Sequence, residues 1–130
     1  MAKRENIVPE EMRNIHERFN YFPAVRVGDM VYMAGQLGRD ADLNVIEDKE
    51  AQFAQAFENL GIVLRAAGCG FEDVVDMTTY HTDMSDLALF MKVKDRYMTR
   101  DFPAWTGIGT TGLATPGCYV EIKANARVPD

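Results

Sequence analysis

Few side chains in this 130-residue sequence could do chemistry. Glu121 stands in the run Val120-Glu121-Ile122-Lys123-Ala124-Asn125-Ala126-Arg127. A carboxylate beside an electrophilic carbon can orient an attacking water and take its proton. It is equally an ordinary polar-face strand residue, with Lys123 and Arg127 on the same side as ion-pair partners. Trp105 is the single tryptophan. It offers a flat wall to an aromatic ligand or a face to a cation, or it anchors a core or a subunit contact. His81 has no nucleophile beside it, and no Ser, His and Asp are spaced as a triad. Cys69 and Cys118 form no C-x-x-C and have no nearby histidine pair. They read as reduced, partly buried thiols, with neither a disulfide framework nor a metal site. No cofactor is expected.

Gly107-Ile108-Gly109-Thr110-Thr111-Gly112 fits G-x-G-x-x-G. A dinucleotide site needs a helix opening at that turn inside a βαβ unit. Leu113-Ala114-Thr115-Pro116-Gly117 follows instead, so the nucleotide reading fails. Small residues here are better explained as a narrow strand whose backbone N–H groups near Gly107 and Ile108 stay free to face a ligand.

These groups need elements to hold them. Ala24–Val27 and Met30–Gly35 flank Gly28-Asp29 and predict a tight hairpin. Gln36 to Leu43 reads as a loop, and Asn44-Val45-Ile46 as a brief strand. Lys49–Ala67 is the best helix. Asp48 stands at its N-cap, Phe53, Phe57, Leu60, Leu64 and Ala67 form its apolar stripe, and Gly68 follows as a C′ residue. Phe71–Thr82 predicts a strand. A second helix runs from Ser85 or Asp86 to Met98, capped by Asp83 or Ser85, and Pro103 marks the break after it. Gly117–Val128 alternates apolar and polar residues, the signature of a half-buried strand. The order predicts an α+β domain: a mixed sheet with two helices on one face. One domain over residues 1–130 is expected, with 1–20 as an N-terminal arm or a short helix through Met12, Ile15, His16 and Phe19.

Apolar residues make up 47% and charged residues 26%, which predicts a folded globular chain. The formal charge is −6 and no basic stripe is present, so neither nucleic acid nor an anionic membrane is an expected partner. No apolar run approaches the roughly 20 residues that span a bilayer. The N-terminal residues lack an apolar signal segment, so a cytoplasmic location is expected.

Four stretches in order resemble the RidA/YjgF family: Val27 to Gln36, Ala56-Phe57-Glu58-Asn59-Leu60 before Ala67-Gly68, Asp73 to Thr78 running into His81-Thr82-Asp83, and Val120 to Ala124. The resemblance covers roughly residues 22–128. It implies a chorismate-mutase-like fold, a homotrimer, and small-molecule clefts between subunits in which reactive enamines or imines are hydrolysed. It makes Glu121 the carboxylate that positions water and Tyr21 a pocket tyrosine. The family's Pro-Ala-Arg-Ser/Thr appears here as Pro103-Ala104-Trp105-Thr106, as in the arginine-less YjgH-like members. An indole donates one N–H and carries no charge, so Trp105 is no carboxylate fork. Losing one partner of a buried charge pair costs roughly 2–5 kcal/mol, which argues against a small α-imino acid as preferred ligand. Glu121 and Thr106 are thus the candidate catalytic residues, and Tyr21, Trp105, Gly107 and Ile108 the candidate ligand contacts. The competing expectation is a metabolite-binding or regulatory trimer without turnover.

Overall fold

Residues 3–130 are described by a computed structural model. The chain forms β1 (Arg4–Ile7), a 3-10 turn at Glu10–Met12, α1 (Arg13–Phe19), β2 (Ala24–Val27), β3 (Met30–Met33) and β4 (Gln36–Leu37). There follow α2 (Lys49–Ala66), β5 (Val74–His81), α3 (Leu87–Tyr97), β6 (Ala104–Gly109) and β7 (Val120–Arg127). One mixed sheet runs β1-β2-β3-β7-β5-β6, with β4 pairing β7 beyond the end of β3. Only β5 and β6 are parallel, because α3 supplies the crossover between them.

Local chemistry explains the elements. Gly28 has φ 64° while Asp29 does not, which suits a two-residue hairpin turn with glycine first. Asp48 caps α2 by accepting the Ala51 N–H at 2.9 Å, and Gly68 ends it at φ 79°. Phe53, Phe57, Leu60 and Leu64 of α2 are fully buried. They meet Phe90 of α3 edge-on at 5.6 Å from Phe53 and stacked at 5.4 Å from Phe57. Burying one such side chain contributes about 1.5–3 kcal/mol. Val120, Ile122, Ala124 and Ala126 of β7 point into this core, while Glu121, Lys123 and Asn125 face the other side of the sheet, which carries no helix.

The expected α+β architecture and hairpin are present, with α1 as a third, short helix. Several boundaries differ. Arg4–Ile7 is a strand paired with β2, where an arm or helix was expected. Phe19 is 46% exposed and leaves the apolar face assigned to it. The loop and the brief strand exchange roles: Gln36 and Leu37 pair with Ile122 and Glu121, and Val45 keeps a single bridge to Arg39. A two-residue strand has no periodicity to read. Phe71–Asp73 and Met84–Asp86 are 3-10 turns leading into β5 and α3, with Asp83 accepting the Ser85 N–H at 2.9 Å. Gly117, at φ 89°, lies in the loop before β7.

Candidate functional site

Register places the sequence candidates on two faces. Tyr80 of β5 stands opposite Glu121 of β7 and beside Ile108 of β6. Thr78 likewise links Lys123 to Thr106. Glu121, Thr106 and Ile108 therefore share the face without helices, although Ile108 lies two strands, roughly 10 Å, from Glu121. Trp105 pairs with Met77 and Gly107 with Thr79, so both face the helix layer.

Trp105 is bound into that layer. Its Nε1–H donates to Thr79 Oγ1 at 2.9 Å, and Thr79 Oγ1 lies 2.7 Å from His81 Nε2. Its ring lies 6.0 Å from Phe90, and the Lys94 ammonium sits 5.3 Å over it. Thr79 and His81 are fully buried. Burial lowers the His81 pKa below 6.5, against the opposing charge of Asp86. Burial thus favours the neutral imidazole, whose Nε2 accepts from the Thr79 hydroxyl in one tautomer, while Nδ1 has no partner among the described residues. Within one chain Trp105 and Glu121 occupy opposite faces of the sheet, so any cavity enclosed by both needs a second copy.

Glu121 lies in a different setting. A Cβ on Gly35 would come within 2.2 Å of its Oε2, so this carboxylate rests directly on the backbone after β3. No hydrogen bond or ion pair engages it among the described residues. It lines a cleft of about 380 Å³ together with Tyr21, Gly35, Leu37, Arg39 and Thr115. Burial raises the Tyr21 hydroxyl pKa, Arg39 opposes the rise, and Glu121 adds to it. The hydroxyl thus stays protonated and can donate to a ligand. Tyr21 is held by α1: Asn20 ends the helix at φ 58°, and the His16 ring bonds the Tyr21 carbonyl at 3.0 Å. Tyr21 and Arg39 also border a second cavity of about 260 Å³ between α1 and α2, walled by Met12, Ile15 and Ile62.

Arg39 was missed in the sequence. It lay in an assumed loop and outside the aligned motif. Its Nη1 donates to Thr115 Oγ1 at 3.1 Å. Two buried amides of α2, two helical turns apart, hold the loops that bring it there. Asn59 Nδ2 donates to the Leu37 and Arg39 carbonyls at 2.8 Å each. Gln52 Nε2 donates to the Ile46 and Gly117 carbonyls at 2.8 and 3.0 Å, and its Oε1 accepts the Tyr119 N–H at 2.6 Å. These bonds tie five backbone groups of the loops to α2, so the loops are specified by that helix.

Two neighbouring groups offer weaker chemistry. Cys118 is buried, and burial raises its pKa, which disfavours the thiolate. Lys123 bonds the Met33 carbonyl, and burial lowers its pKa, with Asp76 opposing.

The sheet and helices are those of a known family of solved structures. The family profile described as Endoribonuclease L-PSP matches residues 12–128, and the chain belongs to this family. It is 36% identical to the RutC family protein YjgH of Escherichia coli, across 100% of this chain and 99% of that protein. A solved structure of protein YjgH, 36% identical, superposes with a TM-score of 0.89 over 98% of both chains. A Bos taurus protein named 2-iminobutanoate/2-iminopropanoate deaminase is 37% identical, over 82% of this chain and 78% of its own.

Proposed function

We propose that this protein hydrolyses reactive imines, enamines or related electrophiles at the cleft beneath Glu121. The carrying observation is the Glu121 carboxylate, partnerless among the described residues and resting on the Gly35 backbone in a cleft that also holds a protonated tyrosine. Family membership and deaminase-named relatives support the reading. In the reaction, water adds to the C=N carbon while Glu121 takes its proton and passes it to nitrogen, giving a carbinolamine. Glu121 then relays the proton of the new hydroxyl to the amino nitrogen, the C–N bond breaks, and ammonia leaves as the carbonyl forms. Imine and water are consumed, and ketone and ammonia are released, with no redox partner. Tyr21 donates to the substrate.

The working form in this proposal is a homotrimer whose clefts lie between subunits. Support comes from β6, an edge strand exposed along most of its length, and from the sheet face without helices, which exposes Tyr32 at 49% and Ile108 at 40%. An open edge and an uncovered face are what assembly would cover. A neighbouring copy would bring Thr106, Ile108 and the backbone N–H groups of β6 toward the cleft, with Trp105 anchoring that strand from behind.

The test generates imines in situ with an amino-acid oxidase and follows their lifetime and ammonia release. The protein shortens the lifetime on this reading. An imine lifetime equal to that in buffer, with ligand still bound, leaves the metabolite-binding trimer. Light scattering tests the assembly, and a monomer at micromolar concentration would contradict it.

A further inference from the structure

The cleft contains a cation that the hydrolytic step does not use. We propose that Arg39 is its anion anchor, so the ligand is a small electrophile carrying a carboxylate, with that group on Arg39 and its reactive carbon toward Glu121. Arg39 thereby replaces, from a different strand connection, the charge that Trp105 lacks. The binding claim stands by itself; naming that ligand a substrate rests on the proposed hydrolysis.

Arg39 is half-buried and carries five N–H donors in a planar fork. One donates to Thr115 Oγ1, and the guanidinium also opposes the rise in the Tyr21 pKa through its charge and a side-chain hydrogen bond, which leaves the remaining donors for a ligand. No carboxylate lies within ion-pair distance of it among the described residues. The adjacent Asp40 is occupied elsewhere, accepting the Asp42 and Asn44 N–H groups at 2.9 Å each. A partly buried guanidinium without a carboxylate is ready to receive one from a ligand, with bidentate geometry. Its place is specified from both sides: Asn59 holds its carbonyl and Thr115 holds its head. Leu37 pairs directly with Glu121, and Arg39 follows two residues on, where its N–H turns back onto the Leu37 carbonyl at 3.0 Å. Cation and carboxylate thus border one cleft, which can receive a small molecule with two polar ends.

Titration calorimetry with the full chain uses pyruvate as the anionic probe and pyruvamide as its neutral counterpart. Arg39→Gln is expected to weaken pyruvate on the order of 30-fold, leaving pyruvamide within about threefold. Arg39→Lys retains charge without the fork and falls between. Added salt weakens pyruvate for the unaltered protein. Should Arg39→Gln fail to fold, Thr115→Val loosens the same guanidinium, and a selective loss of pyruvate is still expected. Absence of pyruvate binding to the unaltered protein, or equal losses of both probes in the variants, overturns the anchor. Turnover is read separately. Pyruvate binding through Arg39 without imine hydrolysis removes the hydrolase reading and keeps the anchor. Imine hydrolysis with unchanged KM in Arg39→Gln does the reverse.

Discussion

Trp105 and Glu121 lie on opposite faces of one sheet and use their polar atoms in opposite ways. The indole N–H donates to Thr79, whose hydroxyl lies against His81 Nε2 inside the helix layer, with Phe90 and Lys94 around the ring, and the chain stops at His81 Nδ1, which has no partner among the described residues. Glu121 has no partner among the described residues, and Arg39 nearby donates to Thr115 and lies against the Tyr21 hydroxyl without a carboxylate partner. Paired polar groups stabilise a fold, whereas charges without protein partners at a cleft are left for water or a ligand to engage. Stability is expected chiefly from the strand carrying Trp105, and the proposed chemistry from the cleft.

The largest expected effect separates the two regions. Glu121→Gln should slow imine hydrolysis about 10²–10⁴-fold while moving the thermal midpoint by no more than about 2 °C, read from ammonia release and calorimetry. A large loss of stability would make Glu121 a structural residue and erase the contrast.

Trp105→Ala should cost about 3 kcal/mol in urea unfolding, since it empties a partly buried indole site against Phe90. A cost under about 0.5 kcal/mol would mean that the ring carries little of the packing and belongs with the ligand surface instead.

His81 gives the third effect. Its folded pKa lies below the ordinary 6.5 because burial disfavours the charged ring. Between those two pKa values the unfolded chain binds more protons than the folded one, so stability rises with pH there. This contribution is full above about pH 6.5. It declines as pH falls, at up to about 1.4 kcal/mol per pH unit, and levels off below the folded pKa. His81→Gln should flatten that part of the urea-midpoint profile. An unchanged profile would place the titration elsewhere.

The smallest effect is Trp105→Phe, about 1 kcal/mol, because the ring volume largely remains and only the hydrogen bond to Thr79 is lost. A loss as large as in Trp105→Ala would show that the hydrogen-bonded chain, and not the packing, carries this region.

Regular elements were legible in the sequence because periodicity and capping act within a few residues. Asp48, the α2 stripe, Gly28 and the alternation of β7 each operate locally. The motifs also led to the family and to Glu121 as a candidate. Other features were hidden. Trp105 occupies the motif position of an arginine, and motif position says nothing about which face a side chain takes. Only the pairing of Met77 with Trp105, set by the α3 crossover, turns the indole toward Phe90.

Local sequence therefore determined α2, α3, the β2–β3 hairpin and the alternation of β7 with Glu121 on its polar side, but neither β1 nor the two-residue β4. Tertiary structure alone decided that Tyr21, Arg39, Thr115 and Glu121 border one cleft, since they come from four separate stretches of chain. Asn59 and Gln52 of α2 draw the Arg39 and Thr115 loops together through hydrogen bonds spanning about 20 to 67 residues. No local pattern encodes such contacts, because the buried backbone groups find these partners only once the sheet and helix have packed.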